Sequence, residues 1–548
     1  MSDADAAAHE AIAGGRAALG IELGSTRIKA CLVGDDVTNV LGTGTFEWEN
    51  QLVDGVWTYS LDAVENGLRA AYADLATRLA ERYGVVPENL RAIGVSAMMH
   101  GYLAVDETGE LLVPFRTWRN TSTGAASAEL SALFGVNIPL RWSIAHLHQA
   151  VLDAEPHVPR IRSLTTLAGL VHERLTGRRV LGVGDASGMF PIDPATRDYD
   201  ATLLERYDDL VRGGGLSGPL RELLPEVLVA GRPAGTLSEA GARFLDPTGS
   251  LLPGAVLCPP EGDAGTGMVA TDAVAPRTGN VSAGTSVFAM VVLEGPLGRP
   301  HEELDVVTTP AGDPVAMVHC NNGASELAAW AGVFREFAAA SGSRGDADAV
   351  FGTLFRAALE GEPDAGGILA YNHLAGEPIA GLDAGRPLVV RTPESRLTLG
   401  NLFRAHLYGV FGTLAIGMRV LEGEGVRLDR MNAHGGIFRT EGVAQRMLAA
   451  ALGVPVAVAA SAGEGGAWGA AVLAAFAADA SVEADAASAD ASVEDRGTDL
   501  AGWLRERVFT GDAAAPVGPD RVDAAGFAAF LDRYRAGLAV ERTAITAL

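Results

Sequence analysis

Two short stretches of this sequence share one pattern. Ala18-Leu-Gly-Ile-Glu-Leu-Gly-Ser-Thr-Arg-Ile-Lys-Ala-Cys-Leu-Val33 aligns with Asn280-Val-Ser-Ala-Gly-Thr-Ser-Val-Phe-Ala-Met-Val-Val-Leu293 when Gly24 is laid on Gly284. Each reads as strand, Gly-Ser/Thr turn, strand. Recurrence at such a distance predicts two related halves rather than one continuous core. The turns also suggest chemistry, because glycine permits close backbone approach and the N–H groups of such a turn suit anionic oxygens. With acidic residues at Glu22 and Asp263, the repeat predicts a cleft holding a polyphosphate between the halves. Gly24, Ser25 and Thr26 would cradle one part of it, and Gly284, Thr285 and Ser286 another.

Glu261-Gly-Asp-Ala-Gly-Thr-Gly267 sets the single carboxylate of Asp263 among small residues at the start of a helical pattern. A carboxylate there, beside a phosphate, can accept a proton from an attacking hydroxyl; the bland alternative is a helix N-cap. Phosphoryl transfer is mainly positioning and electrostatics, so few further groups are needed. Glu22 would hold Mg²⁺, through water, since that ion keeps much of its hydration shell.

Composition narrows the classes. A length of 548 residues exceeds what one hydrophobic core usually supports, and 48% apolar with 20% charged residues describes a globular chain. The net charge of −26 argues against a nucleic-acid or anionic-membrane surface. A polyphosphate must then be held by backbone amides, a metal ion and a few local cations. Of the 42 basic residues all but Lys29 are arginine. Lys29 follows the first turn, where a compact ammonium suits the hairpin or its ligand, and a Gly-Lys-Ser/Thr phosphate loop is excluded. Cys31, Cys258 and Cys320 fit no metal spacing and read as buried hydrophobes in a reducing compartment. The first sixteen residues lack the apolar centre of a signal peptide, and apolar runs such as Leu448–Ala460 are broken by Gly453 and Pro455. The expectation is a cytoplasmic protein with no nucleic-acid or membrane partner, and a homodimer remains open.

Strands and helices alternate through both halves, which predicts α/β layers. Leu61, Val64, Leu68, Ala71, Leu75 and Leu79 mark one helix face ending near Gly84. Strand Leu90–Ser96 delivers Met99 and His100 to its C-terminal end, where open α/β sheets place ligands. Helices are expected over Gly124–Leu133, Ser143–Leu152, Arg160–Leu175 and Leu397–Leu421, with a small-residue turn at Leu181–Phe190. In the second half, strand Met431–Ala433 leads into His434-Gly-Gly-Ile437. Ala477–Glu494 is rich in Ala, Asp, Ser and Glu and reads as a mobile acidic loop.

Placed in order, Gly20–Lys29, Met99-His-Gly101, Trp118, Gly262-Asp-Ala264, Ser282–Ser286, Gly376-Glu-Pro378 and Asn432–Gly436 resemble the FGGY family of carbohydrate kinases over nearly the whole chain. The resemblance implies two actin-like (ribonuclease H-like) α/β domains closing on a sugar and MgATP, with phosphate passing to a primary hydroxyl. It implies a tail at 1–17, a sugar-binding and catalytic domain at 18–278 and a nucleotide-binding domain at 279–476. The acidic loop at 477–498 and a helical extension at 499–548 follow. Gly435 and Gly436 resemble the adenosine-binding turn, with Gly465-Gly466 a second candidate. Met99, His100 and Trp118, with the polar Arg119 and Asn120 beside them, match sugar-site positions of xylulokinase-like members. The family usually has aspartate at Glu22 and an Asp-containing signature after Trp118, where this chain has Arg119-Asn120-Thr121.

The sugars implied are L-ribulose or D-xylulose, phosphorylated at the terminal hydroxyl. Another sugar or polyol, or a sugar- and nucleotide-binding sensor without efficient transfer, is the alternative. A dinucleotide fingerprint at Gly265-Thr-Gly-Met-Val-Ala270 would need a complete βαβ unit and an acidic residue about 20 positions on. The Gly279 hairpin arrives too soon for that.

Overall fold

The repeated pattern folds twice in the same way. In the computed structural model, which describes residues 2–342, 347–458, 465–486, 499–510 and 515–548, β1 (Ala18–Leu23) and β2 (Arg27–Val33) form an antiparallel hairpin across the Gly24 turn. β3 (Val40–Glu47) pairs antiparallel with β2, and β4 (Ala92–Ala97) runs parallel to β1. β5 (Val256–Leu257) and β6 (Glu261–Gly262) both run parallel to β4, so the order is β5-β4-β1-β2-β3. The second half begins with β7 (Thr278–Ala283) and β8 (Val287–Val292), an antiparallel hairpin across the Gly284 turn, flanked by β9 (Pro314–Cys320). β10 (Arg430–His434) is parallel to β7 and β11 (Val456–Val458) parallel to β10, giving β11-β10-β7-β8-β9. This is the ribonuclease H-like α/β arrangement expected from the sequence, present in each half.

Contacts divide the chain into two compact units. Unit 1 comprises Met1–Val274, Val306–Val315 and Gly463–Thr510; unit 2 comprises Ala275–Asp305, Ala316–Ala462 and Gly511–Leu548. The division differs from the boundaries at 476 and 499 drawn from the sequence. Its main cause is the helix Gly465–Ala486, which lies on the unit 1 sheet. A Cβ at Gly20 would come 1.9 Å from the Ala467 carbonyl oxygen, and one at Gly94 would come 2.1 Å from that of Ala470. Only glycine on β1 and β4 allows helix backbone to settle so close to strand backbone. By length and composition this helix could cross a membrane, a run the sequence reading passed over, but 72% of its apolar window is buried inside the protein.

The other face of the sheet is covered by the helix Leu61–Tyr83. Ser60 caps its first turn by accepting the Ala63 N–H at 3.1 Å, Gly84 ends it at φ 71°, and Val64, Leu68, Ala71, Leu75 and Leu79 are its buried face. The segment expected to be a tail contains a helix, Asp3–Ala13, started by a Ser2–Asp5 capping box and anchored by Ala8 and Ile12 in the unit 1 core. Where one helix was expected over Arg160–Leu175, Ser163–Thr165 pairs with Leu103–Val105 and the Thr166 hydroxyl caps a shorter helix, Leu167–Thr176. The small-residue turn becomes strand Val180–Gly182 and a single helical turn, Val183–Ala186. The expected acidic loop begins as a continuation of the Gly465 helix to Ala486; 487–498 lie outside the described residues.

In unit 2 the C-terminal helix Arg521–Ala547 is part of the core, contributing Phe527, Phe530, Leu531, Tyr534 and Leu538. A buried ion pair, Arg404 to Asp523 at 3.1 Å, and a buried hydrogen bond between His373 Nδ1 and the Glu541 carboxylate at 2.8 Å fasten it. Cys31, Cys258 and Cys320 are all buried.

Candidate active site

In unit 1 the chemistry gathers at the C-terminal ends of β1 and β4, as the sheet topology favours. Glu22 on β1 lies in register with Lys29 on β2 and Ser96 on β4. β4 runs on to Met98, whose N–H donates to the Leu23 carbonyl at 3.0 Å. The chain then bends away with His100 at φ 72° and Gly101 at φ 106°. A Cβ at Gly101 would come 2.8 Å from the Arg116 carbonyl oxygen, so the bend requires glycine there.

Asp263 is the first residue of the helix Asp263–Ala270, and Gly262 occupies the N-cap position. The Asp263 side chain is therefore not the cap. Its Oδ1 accepts the Met99 N–H at 3.1 Å and the Ala264 N–H at 3.0 Å, tying the helix tip to the β4 bend. The carboxylate keeps exposed surface at this tip, yet the protein crowded around it displaces hydration. That desolvation raises its pKa above the ordinary carboxylate value, against the lowering effect of the Met99 and Ala264 amides.

Glu22 is pushed up to about 7, by burial first and then by the negative charge of Asp263; Lys29 and the Ala467 amide act in the opposite sense. A negative charge on Asp263 disfavours a second charge on Glu22. Glu22 Oε2 accepts the Ala467 N–H at 3.2 Å, and a Cβ at Gly466 would come 2.5 Å from Oε1. The carboxylate thus sits at the positive end of the Gly465 helix, and Gly466 is small to make room for Glu22 and for Thr266. Among the described residues no group of three or more His, Cys, Asp or Glu side chains is arranged to hold a metal. Two mutually repelling carboxylates do suit a Mg²⁺ that arrives on phosphate oxygens, since that ion takes one or two carboxylates and retains water.

The expected sugar positions separate on inspection. Met99 and His100 are 6% and 5% exposed, with His100 Nδ1 3.4 Å from the Gly188 carbonyl oxygen. Trp118 is half-buried against the unit 1 core. Arg119 is exposed, its guanidinium 5.3 Å from the Trp57 ring and 5.4 Å from the Trp118 ring. Asn120 faces the backbone: its Oδ1 accepts the Trp57 N–H at 2.9 Å, and its amide donates to the Trp57 and Thr117 carbonyls at 2.8 and 2.9 Å. With both amide protons and one oxygen lone pair committed to backbone, Asn120 braces the loop.

Unit 2 contains the second turn. The Gly284 N–H donates to the Ser286 carbonyl at 2.9 Å, while the Gly323 and Ala324 amides donate to the Thr285 and Gly284 carbonyls at 2.7 and 2.8 Å. A trans peptide sets N–H opposite C=O. Tying back these two carbonyls therefore turns the N–H groups of Thr285 and Ser286 the other way, the arrangement of an anion nest. Asn322 holds the bracing segment: its N–H and side-chain amide donate to Glu377 Oε2 at 3.2 and 3.0 Å, and its Oδ1 accepts the Leu374 and Ala375 N–H groups at 2.8 and 2.9 Å. Beyond β10, a Cβ at Gly435 (φ 119°) would come 2.2 Å from the Ala283 carbonyl oxygen, so this glycine serves packing. Gly436 has open space around its Cα.

The models named "FGGY family of carbohydrate kinases", N-terminal and C-terminal domain, match residues 17–245 and 279–478. The chain belongs to the FGGY family of carbohydrate kinases. A curated relative, L-fuculokinase of Salmonella typhi, is 26% identical over 200 residues, which span 34% of this chain and 38% of that protein. Solved FGGY-like folds include xylulose kinase from Rhodospirillum rubrum, 20% identical with a TM-score of 0.72 over 96% of this chain and 99% of that one. Gluconate kinase from Lactobacillus acidophilus is 16% identical with a TM-score of 0.74 over 96% and 99%. Plasmodium falciparum glycerol kinase with ADP is 14% identical, with a TM-score of 0.68 over 96% and 97%. These likenesses establish the fold.

Two acidic residues of this FGGY chain escaped the sequence reading. Glu261, 2% exposed, accepts the Gly184 and Asp185 amides at 3.3 and 2.9 Å. Asp185, 1% exposed, accepts the Thr166 hydroxyl at 2.5 Å, and its pKa is pushed up to about 7 by burial, with the charge of Asp263 adding to it. A Cβ at Gly182 or Gly184 would come 2.1 or 2.3 Å from the Glu261 carboxylate. The small residues of Leu181–Gly184 were the available signal, since they line a space that something must fill.

Proposed function

We propose that this FGGY protein is an ATP-dependent kinase that phosphorylates a ketopentose, L-ribulose or D-xylulose, at its terminal hydroxyl in the cytoplasm. The observation that carries the reading is Asp263: an accessible carboxylate of raised proton affinity, held at a helix tip by the Met99 amide beside the His100 bend. In the proposed reaction the sugar hydroxyl oxygen attacks the γ-phosphorus, its proton passes to an Asp263 oxygen, and the bond to the ADP oxygen breaks. The Gly24 and Gly284 turns supply N–H groups to phosphate oxygens, with Lys29 as a nearby cation. Gly436, whose Cα has room beside it, is the stronger of the two glycines for nucleotide contact. Glu22 would hold Mg²⁺ through water, and the ion would neutralise phosphate charge.

Met99, His100, Trp118 and Arg119 are proposed to border the sugar. Arg119 offers an exposed cation on an aromatic support, which would accommodate an acidic sugar or a polyol as readily as a ketopentose. ADP release measured against the ketopentoses, L-fuculose, gluconate and glycerol tests the assignment. Turnover confined to a ketopentose and lost in Asp263→Ala supports it. Binding of a sugar together with ATP and Mg²⁺ but without transfer would favour a sensor.

A further inference from the structure

The hairpin between β3 and the Leu61 helix (Gln51–Val53 with Val56–Thr58) is flanked by Trp48 and Tyr59, which the proposed reaction does not use. These rings are stacked, with centroids 4.1 Å apart and planes at 27°. Trp48 is 7% exposed and Tyr59 is 1% exposed. Each ends in one donor, and both donors reach the first glycine turn. Trp48 Nε1 donates to the Gly24 carbonyl at 2.7 Å, and the Tyr59 hydroxyl donates to the Ser25 carbonyl at 2.6 Å.

The same two carbonyls of the second turn, those of Gly284 and Thr285, are tied back by the amides of Ala324 and Gly323. Both turns therefore solve one geometric problem by different means. Fixing the carbonyls of the first and second turn residues turns the N–H groups of the second and third the opposite way, because the peptide is trans. In the first turn those are the amides of Ser25 and Thr26. The remaining contacts fit this division: Gly24 N–H closes the turn on the Arg27 carbonyl at 3.0 Å, and the Trp48 N–H holds the Thr26 carbonyl at 3.1 Å.

We infer that Trp48 and Tyr59 are positioning residues for the nucleotide, whose side-chain donors lock the Gly24 turn so that the Ser25 and Thr26 amides form a preset cradle for phosphate oxygens. Burial raises the Tyr59 pKa, which keeps the phenol protonated and donating. Without the two donors the peptide planes could rotate, and part of the binding energy would be spent on ordering them. The same hairpin is held at Trp57 by Asn120, so the phosphate turn and the Trp118–Asn120 loop share one support.

The inference rests on the Gly24 turn being a phosphate site. Tyr59→Phe and Trp48→Phe each delete one donor and keep a stacked ring. Calorimetry with ADP, steady-state KM for ATP and for sugar, and melting midpoints are measured for wild type, both single variants and the double variant. Each single variant is expected to weaken ADP binding and raise KM for ATP by about 3- to 10-fold, the worth of one hydrogen bond. KM for sugar should stay at its wild-type value, while the melting midpoint falls modestly, as loss of a buried hydrogen bond requires. Unchanged ADP affinity in the double variant overturns the inference, and so does an equal loss of ADP and sugar affinity with a lowered midpoint, which marks a packing role. A wild-type protein that binds neither ADP nor ATP removes the phosphate-site reading itself, an outcome distinct from either of these.

Discussion

The Met99 N–H and the Asp263 carboxylate lie 3.1 Å apart, one at the bend that follows β4 and the other on the first residue of the helix that follows β6. The contact spans 164 residues of sequence and fixes where the Asp263 carboxylate can point. It also allows the carboxylate's charge to be tested apart from its shape.

Asp263→Asn retains an oxygen for the Met99 and Ala264 amides and removes the proton acceptor. The expected result is a fall in kcat of about 10² to 10⁴, with a melting midpoint at neutral pH no lower than that of the wild type, because the amide carries no charge for desolvation to oppose. In the wild type, the acidic limb of the kcat/KM profile should lie above the usual carboxylate value of 3.8, as the displaced hydration around this group requires. Unaltered turnover in the variant would exclude Asp263 as the base.

Asp185 gives a stability prediction with a defined sign. Its folded-state pKa, about 7, lies above the ordinary aspartate value of 3.8, so the folded protein binds the extra proton. The stability this contributes is full below pH 4 and is lost as pH rises through 7. Asp185→Asn abolishes that dependence. Melting midpoints at pH 5 and pH 8 should show the variant gaining on the wild type as pH rises, and a constant difference would contradict the shifted titration.

Glu377 tests the second turn. Its buried carboxylate holds Asn322, and the neighbouring Gly323 and Ala324 amides hold the Gly284 turn. Glu377→Gln keeps an acceptor and should resemble wild type. Glu377→Ala leaves the Asn322 amide unpaired, which costs about 1 to 3 kcal/mol, and should raise KM for ATP more than KM for sugar. Denaturant unfolding with parallel kinetics reads both, and identical behaviour of the two variants would count against this bracing.

Gly466→Ala introduces a methyl 2.5 Å from Glu22 Oε1 and 2.9 Å from Thr266 Oγ1. The Glu22 side chain must then leave the Ala467 amide. A drop in melting midpoint is expected, restored in part by Glu22→Gly in the same chain. Absence of any such rescue would mean that Glu22 is not what the glycine accommodates.

Much of the frame was legible in the residues. The Gly24 and Gly284 hairpins, the Leu61 helix with its Ser60 and Gly84 ends, and the exposed Asp263 follow from local periodicity and turn chemistry, which act over a few positions. Contacts between distant residues were not. Glu22 meets an amide 445 positions away, and Gly20 and Gly94 are explained only by a helix that begins at Gly465. Asn120 looked like a free polar group because its three backbone partners, two of them on Trp57, cannot be seen from a Trp-Arg-Asn triplet. The Asp3–Ala13 helix was missed because its polar face dominates a short segment, although Ser2 and Asp5 had the spacing of a capping box.

The placement of the Gly465 helix has a consequence for how the protein is made. β1 and β4 leave the ribosome early, but the groove over Gly20 and Gly94 has no occupant until more than four-fifths of the chain has been synthesised. Until then one face of a mature-looking sheet is bare, and a nascent chain arrested before residue 465 would present it to chaperones or to other chains. Supplying the missing strip in trans, as a separately expressed peptide, is the natural way to recover such a fragment.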